Sequence, residues 1–220
     1  MPPKLVGSLS RMMQTTIHFL SADGSTLLEG KWLALSQAPQ LVAVLAHHFP
    51  PMSNMDQRAI FATFKVLRDR GWGVLRYNSR GVGQSQGEFS GGPGEDLDLQ
   101  AALAEARQRA PQAQICLIGW SFGAQLVLRV MASDPTIRAT VAVTPNPVGL
   151  QESAQGQHGP LLAIVAERDQ FFDLIETRTA FEQATEPKTW HLLKWADHYY
   201  LTREDEVAQF TVDWLEQAVK

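Results

Sequence analysis

The sequence predicts an α/β fold in which helices cover both faces of a mostly parallel sheet and an antiparallel hairpin precedes that sheet. Continuous apolar segments of strand length recur along the chain and alternate with longer amphipathic segments. Apolar segments without polar alternation are typical of strands buried on both faces, as in parallel sheets. Before them, two short extended segments flank an Asp-Gly pair, which is typical of a hairpin turn. A hairpin followed by repeated strand and helix segments predicts the α/β class.

The strands are predicted in chain order, beginning with the hairpin. Its two strands are expected at Thr15–Leu20 and Thr26–Leu35, with Asp23 and Gly24 in the turn. Six further strands are expected at Leu41–His47, Val74–Tyr77, Ile115–Ile118, Thr140–Thr144, Leu161–Ala166 and Thr189–Trp195. In such a sheet, functional residues are expected just beyond the carboxyl ends of the strands.

Helices are predicted in the amphipathic segments between the strands. One helix follows a capping-box pattern at Ser53–Asp56, and an Ala-rich helix spans Glu95–Arg109. The last helix follows Thr202, with Asp205 three residues further on in a second capping pattern. The alternation of these helices with the strands supports the α/β class.

The length and composition predict one folded domain over residues 1–220, with residues 1–14 as a loose N-terminal segment. Hydrophobic residues make up 45% of the chain, which excludes disorder of the whole chain. Cys116 has no second cysteine with which to form an internal disulfide, so we expect it to be a small buried apolar residue in a reducing cytoplasm.

Charge and hydropathy exclude several classes of partner. The chain has 19 Lys and Arg residues against 23 Asp and Glu residues, a net charge of −4, so it lacks the basic surface of a nucleic-acid-binding protein. Its longest apolar segments are far shorter than the roughly 18 residues that span a bilayer. Met1–Gln14 also lacks the apolar core of a secretory signal. We therefore expect neither nucleic acid nor membrane as a partner.

A strand, a Gly-x-Ser-x-Gly pattern and a helix follow one another directly around Ser121. A serine on such a sharp turn is crowded by residues two positions away on either side, and Gly119 and Gly123 relieve that crowding. The helix that begins at Phe122 directs its free N–H groups toward the turn, where an oxyanion would develop. Ser121 is therefore the predicted nucleophile.

A second Gly-x-Ser-x-Gly pattern, Gly83–Gly87, contains Ser85. The loop Asn78–Gly81 separates this pattern from the preceding strand, and a Gly-rich segment follows it in place of a helix. Ser85 is therefore predicted to be a polar loop residue, because the strand-turn-helix context is what supports a nucleophile.

A serine hydroxyl needs a base that removes its proton, and His198 is the predicted base. His198 follows the last predicted strand and precedes the last helix, so it lies at the C-terminal edge of the sheet. His191 is interior to that strand, and His158 lies in a polar loop. His198 is thus the histidine whose position can reach Ser121.

The predicted acid is Asp169, which directly follows the strand Leu161–Ala166 and precedes His198 by 29 residues. The acid holds the tautomer of the base. Glu167 and Asp173 remain alternatives, whereas Asp197 adjoins the histidine and would point away from it.

The predicted oxyanion hole combines two backbone N–H groups. The first donor is Phe122, which follows the nucleophile, and the second is expected in the loop after the third strand. His48 and Phe49 are the candidates there, with Phe49 preferred, because the two prolines that follow have no N–H. His47 is expected to be structural, since no carboxylate or cysteine cluster accompanies it, and no metal or cofactor is expected.

These residues together resemble the α/β-hydrolase superfamily, and specifically its small bacterial serine hydrolases that lack a cap domain. The resemblance spans most of the chain and rests on His47–Pro50, Arg76–Gly87, Gly119–Gly123, Ala166–Asp169 and Ala196–Tyr200. The last segment is similar to the family's Ala-Asp-His-Phe-Phe and places His198 at its catalytic histidine. The order Ser, Asp, His is also the order of that superfamily. His48 and Phe49 stand where the family loop has Pro and His, and the Gly-Gly that usually follows the loop is missing.

The resemblance implies a site that is open at the top. Caps in this superfamily usually follow the sixth strand, where Pro145–Pro160 is long enough for a loop but not for a lid domain. The expected substrate-binding residues are Trp120, Met52, Phe171 and Tyr199, and Phe49, Phe122, Phe172 and Tyr200 are further candidates for the lining. Core packing remains the alternative for Trp120 and Phe122.

The sequence predicts a serine hydrolase that cleaves a small or medium acyl ester or thioester through an acyl-enzyme intermediate. The alternative is a catalytically silent scaffold of the same fold that binds an apolar ligand or a protein partner. A dinucleotide enzyme is disfavoured, because Gly81, Gly83 and Gly87 do not have the phosphate-binding spacing and no helix follows them directly.

Overall fold

The computed structural model describes residues 13–34 and 39–220, which form eight strands and six α-helices. The strands are β1 (Met13–Leu20), β2 (Leu27–Ala34), β3 (Leu41–Ala46), β4 (Gly73–Tyr77), β5 (Gln114–Trp120), β6 (Ile137–Val143), β7 (Leu161–Ala166) and β8 (Lys188–Leu193). The helices are α1 (Arg58–Asp69), α2 (Pro93–Arg109), α3 (Phe122–Ser133), α4 (Pro147–Ser153), α5 (Leu174–Glu182) and α6 (Glu204–Ala218). None of these helices is long and apolar enough to cross a membrane.

All eight strands belong to one sheet in the order β1-β2-β4-β3-β5-β6-β7-β8. β1 and β2 form the antiparallel hairpin, and β2 pairs antiparallel with β4. Every other neighbouring pair is parallel. The predicted α/β fold, with its mostly parallel sheet and N-terminal hairpin, is therefore confirmed.

Both faces of the sheet are buried, which explains why the central strands are apolar without alternation. On β5, Cys116, Ile118 and Trp120 pack in one core cluster with α1 and α6. Ile115 and Leu117 point to the opposite face and pack with α2 and α3. Cys116 is buried, as predicted.

The N-terminal boundary of the sheet differs from the prediction. Gln14 belongs to β1, which begins at Met13, so the predicted loose segment 1–14 is too long. Residues 1–12 of that segment lie outside the described residues, as does Leu35 of the predicted second strand.

Two predicted helix caps are wrong. In α1 the N-cap is Gln57, whose side chain accepts a hydrogen bond from the Ala59 amide, because Asn54 is engaged in a local turn with Asp56. In α6 the N-cap is Arg203, and its side chain makes no capping hydrogen bond.

The connection between β6 and β7 contains the short helix α4, where the sequence predicted a loop. The Asn146 side chain caps this helix by accepting a hydrogen bond from the Gly149 amide at 2.6 Å. With seven residues, α4 does not form a cap domain. The carboxyl edge of the sheet, where β5, β7 and β8 end, is therefore not covered by an inserted domain.

Candidate active site

Ser121 lies on a sharp turn between β5 and α3, with a backbone φ of 52°. A non-glycine residue with positive φ costs on the order of 1–3 kcal/mol and persists only where its surroundings hold it. Here the Ser121 amide donates to the Val143 carbonyl at 2.8 Å, at the end of the neighbouring strand β6. The turn thus fixes the serine just above the sheet.

Both glycines of this turn are required by close backbone contacts. A Cβ at Gly119 would collide with the Gly123 carbonyl group. A Cβ at Gly123 would collide with the carbonyl oxygens of Ala46 and His47 at the end of β3, the latter at 2.5 Å. The prediction that these glycines relieve crowding around Ser121 is confirmed.

The structure brings Ser121, His198 and Asp169 together in one chain of hydrogen bonds. Ser121 Oγ lies 3.0 Å from His198 Nε2, and His198 Nδ1 lies 2.8 Å from Asp169 Oδ2. Because the carboxylate accepts from Nδ1–H, Nε2 is the acceptor for the serine hydroxyl. This is the geometry that lets an imidazole take a proton from a serine.

The acid and the base are shielded from solvent by aromatic rings. Both side chains are only 4% exposed, and the rings of Phe171, Phe172 and Tyr199 meet the His198 ring edge-on. Asp169 Oδ1 accepts hydrogen bonds from the amides of Phe171 at 2.8 Å and Phe172 at 3.1 Å. These bonds fix the carboxylate so that Oδ2 faces the imidazole.

Each of the other acidic side chains accepts hydrogen bonds from backbone amides elsewhere. Glu167 accepts from the Trp195 amide at 2.7 Å. Asp173 caps α5 by accepting from the amides of Ile175 and Glu176. Asp197 accepts from two amides of its own loop, those of Tyr199 and Leu201. Asp169 is therefore the carboxylate that the fold presents to His198.

The two predicted oxyanion donors lie in adjacent segments. Phe122 is the first residue of α3, so its N–H has no partner within the helix, whereas the Ala124 amide already donates to Ser121. The rings of Phe49 and Phe122 are 6.2 Å apart, which places the loop after β3 beside the start of α3. The role of the Phe122 and Phe49 amides stays a prediction.

His47 and His48 are buried and neutral. His47 Nε2 accepts from the Ser79 amide at 3.1 Å, so its Nδ1 carries the proton and donates to the His48 carbonyl. Burial lowers the pKa of His47 to about 4, and burial together with the charges of His198 and His47 lowers the pKa of His48 to about 3. Neither belongs to a metal cluster, since residues 13–34 and 39–220 contain no group of three or more potential ligands.

A cavity of about 450 Å³ opens above Ser121 and His198. Its other lining residues are Phe49, Met52, Phe122, Gln125, Asn146, Phe171, Phe172 and Tyr199. Met52, Phe171 and Tyr199, which the sequence predicts at the substrate site, line this cavity, and their contact with a substrate stays a prediction. Concavities of about 660 and 600 Å³ elsewhere on the molecule include none of the three hydrogen-bonded residues.

The expectation that Trp120 lines the substrate site is wrong. Its side chain is fully buried and stacks on His48 in the core, because alternation along β5 directs it to the face covered by α1 and α6. Tyr200 is also buried, and its hydroxyl donates to the Ile164 carbonyl at 3.1 Å. Both residues are buried in the core and do not line the cavity.

Sequence reasoning missed Gln125 and Asn146, the two amide side chains of the cavity. Gln125 lies one helical turn after Ser121 on α3, and Asn146 lies three residues beyond the end of β6. Spacing of four residues from the nucleophile could have indicated Gln125, because residues i and i+4 share a helix face.

Ser85 has the structural role that its sequence context predicts. Its Oγ accepts from the Glu29 amide at 2.9 Å and donates to the Asn78 carbonyl at 2.7 Å. The residue is 8% exposed, so both contacts are shielded from solvent. The hydroxyl proton is therefore committed to a backbone group.

Comparisons with known proteins agree on one fold. A family profile described as alpha/beta hydrolase fold matches residues 44–157. An uncharacterized protein of Rickettsia prowazekii is 29% identical over 211 residues, covering 90% of this chain and 87% of that protein.

Two solved structures show the same architecture. A putative alpha/beta hydrolase of unknown function from Agrobacterium tumefaciens has a TM-score of 0.84 at 24% identity, covering 92% of this chain and 95% of that chain. An alpha-beta serine hydrolase homologue from Coxiella burnetii has a TM-score of 0.83 at 24% identity, covering 93% and 99% of the two chains. At this identity the two likenesses show the fold.

Proposed function

The chain belongs to the alpha/beta hydrolase fold family, and from this premise we propose that it is a serine hydrolase that cleaves small or medium acyl esters or thioesters through an acyl-enzyme intermediate. The observation that carries the proposal is the hydrogen-bonded chain from Ser121 through His198 to Asp169. A serine hydroxyl is a weak nucleophile until a base accepts its proton, and this arrangement supplies an oriented base.

In the first half-reaction, Ser121 Oγ attacks the acyl carbonyl carbon while His198 Nε2 takes the hydroxyl proton. Asp169 stabilises the imidazolium that forms, and it keeps the ring in the productive tautomer. As the tetrahedral intermediate collapses, the bond to the leaving group breaks and His198 returns the proton to that group. The acyl group remains on Ser121 as an ester.

In the second half-reaction, water replaces the leaving group. His198 takes a proton from this water, which attacks the acyl carbon and forms a second tetrahedral intermediate. Collapse releases the carboxylic acid, and Ser121 regains its proton from His198. In both half-reactions the negative oxygen would accept hydrogen bonds from the Phe122 and Phe49 amides at the positive end of α3.

The cavity favours an uncharged acyl group. Phenylalanine and methionine side chains make up much of its lining, and no lysine or arginine of the described residues lines it. Its volume of about 450 Å³ lies within the range of small-molecule sites. The apolar surface continues outward, since Met52 is 80% exposed and Phe171 is 61% exposed. An apolar acyl chain would cover these side chains on binding.

Steady-state hydrolysis of p-nitrophenyl acetate, butyrate and octanoate, with the matching thioesters, tests the proposal. We expect turnover by the wild type and a loss of at least roughly a thousandfold in kcat for His198→Ala. His158→Ala is the matched control, because His158 is exposed and lies outside the cavity. A folded protein that binds these esters without turnover would contradict the proposal and favour a non-catalytic scaffold.

A further inference from the structure

Two amide side chains form a polar corner in the otherwise apolar lining of the cavity. Apart from Ser121, His198 and the Tyr199 hydroxyl, the polar side-chain groups of the lining belong to Gln125 and Asn146. An amide in apolar surroundings without a partner loses free energy relative to water. Both side chains are half-buried, so a bound apolar group would remove them from water.

Both amides lie next to the nucleophile and next to each other. Gln125 is four residues after Ser121, and its backbone amide donates to the Ser121 carbonyl at 3.4 Å. Asn146 follows β6, whose Val143 carbonyl accepts from the Ser121 amide. A Cβ built on Gly149 would lie 3.0 Å from Asn146 Oδ1 and 3.1 Å from Gln125 Cγ, so both side chains lie beside this glycine.

Hydrogen bonding fixes the orientation of one amide and leaves the other able to adapt. Asn146 Oδ1 accepts from the Gly149 amide at 2.6 Å, so Nδ2 is the end that remains to donate. Within the described residues, neither Asn146 Nδ2 nor the Gln125 amide has a protein hydrogen-bond partner. Two NH2 groups are thus available as donors beside an apolar space, and Gln125 also offers an acceptor.

From this geometry we propose that Gln125 and Asn146 form a subsite for an uncharged oxygen of the substrate, such as a keto, ether or hydroxyl group a few bonds from the scissile carbonyl. Donors without a charge match a neutral acceptor, and within residues 13–34 and 39–220 no lysine or arginine lines the cavity to bind a carboxylate or phosphate. A substrate without such an oxygen would leave both amides desolvated and unpaired, which costs binding free energy. This inference rests on the proposed function and narrows its substrate class to oxygen-bearing esters.

Paired esters that differ only in one oxygen test the subsite. For the acyl side, p-nitrophenyl γ-ketopentanoate is compared with p-nitrophenyl pentanoate. For the leaving-group side, methoxyethyl butanoate is compared with butyl butanoate. We expect the wild type to prefer the oxygen-bearing ester by roughly three- to tenfold in kcat/KM in one of the two pairs, which identifies the side that the subsite binds.

Gln125→Met removes the amide and keeps the shape of the side chain, so the preference ratio is expected to fall toward one. Asn146→Ser retains an oxygen that can cap α4 and is expected to lower the same ratio. Gln151→Met is the matched control, because Gln151 is exposed and lies outside the cavity. The ratio is insensitive to partial unfolding, since both esters of a pair are measured on the same preparation.

The outcomes separate this inference from the proposed function. A wild type that hydrolyses both esters of each pair equally well overturns the subsite and leaves the serine hydrolase intact. A preference that survives in both Gln125→Met and Asn146→Ser also overturns it. No hydrolysis of any of the four esters by folded protein contradicts the proposed function itself.

Discussion

The chain contains the Gly-x-Ser-x-Gly pattern twice, and the two serines have opposite surroundings. Ser121 lies on a strand-to-helix turn with its hydroxyl 3.0 Å from an imidazole nitrogen. Ser85 lies in a loop, and its hydroxyl bonds two backbone groups, the Glu29 amide and the Asn78 carbonyl. The Ser121 hydroxyl lies beside an imidazole nitrogen, whereas the Ser85 hydroxyl is held by the backbone.

The residues around each serine, and not the Gly-x-Ser-x-Gly pattern itself, determine whether its hydroxyl can react. Around Ser121, the glycines are required because carbonyl groups crowd the turn. Around Ser85, Gly83 and Gly87 have φ values of 59° and 80°, which favour glycine, and a Cβ at Gly83 would also collide with the Asn78 side chain. His47 links the two regions. It follows β3 beside the turn at Ser121, and its Nε2 accepts a hydrogen bond from the Ser79 amide in the loop that leads to Ser85.

The largest expected effect contrasts Ser121→Ala with Ser85→Ala in enzyme kinetics. Ser121→Ala removes the attacking oxygen, so we expect kcat for p-nitrophenyl butyrate to fall by at least roughly a thousandfold. Ser85→Ala removes only structural hydrogen bonds, so kcat of the folded fraction should stay within about twofold of wild type. Equal losses in the two variants would break the comparison.

The next effect concerns the steric crowding at the turn that carries Ser121 and its cost in the free energy of unfolding. Gly119→Ala places a methyl group against the Gly123 carbonyl, and we expect a loss of about 3 kcal/mol or more in the free energy of unfolding. Urea denaturation measures it. Gly91→Ala is the control, because a Cβ there meets nothing within 4 Å and only the positive φ of 81° opposes it, at about 1 kcal/mol. Similar losses of unfolding free energy in both variants would show that the turn at Ser121 is not sterically constrained.

Acid should lower the free energy of unfolding through His47, which lies between the two serines. The pKa of His47 falls from 6.5 to about 4 on burial, so below about pH 6.5 the unfolded chain binds a proton that the folded chain does not. The free energy of unfolding should therefore fall with pH between about 6.5 and 4, by up to about 1.4 kcal/mol per pH unit for this histidine.

Urea denaturation across that pH range checks the slope. His47→Gln should reduce the slope to the part that His48 contributes, because burial lowers the pKa of His48 as well. His158→Ala should not change it, since His158 is exposed. A wild type whose stability rises on acidification through this range would contradict the assignment of a buried neutral His47.

The smallest expected effect is on stability at Ser85. Ser85→Ala leaves the buried Glu29 amide without its partner, so we expect a loss of about 1–2 kcal/mol in the free energy of unfolding. Ser25→Ala is the control, because Ser25 is exposed and lies in the hairpin turn. A neutral Ser85→Ala would show that its two hydrogen bonds do not stabilise the loop.

Much of the fold and the hydrogen-bonded triad could be predicted because they depend on local order in the sequence. Apolar segments define the strands, and Ser121, Asp169 and His198 each follow one of them. The sequence favoured Asp169 and left Glu167 and Asp173 as alternatives, and the hydrogen-bond partners of the three carboxylates distinguish them.

The errors have a common physical origin in side-chain direction and packing. Trp120 adjoins the nucleophile in sequence, yet strand alternation directs its side chain to the core. Asn146 belongs to the cavity because it caps α4, a helix too short to show an amphipathic pattern. Gln125 faces the cavity because α3 begins at the turn that carries Ser121. Asn146, on the other side of Gly149, comes from another segment.

Labelling with a fluorophosphonate, followed by intact mass measurement and peptide mapping, tests most directly whether Ser121 is an activated nucleophile. We expect a single adduct on Ser121 in the wild type and in Ser85→Ala. The same adduct should be absent from Ser121→Ala and strongly slowed in His198→Ala. An adduct on Ser85, or none on a folded wild-type protein, would contradict the account.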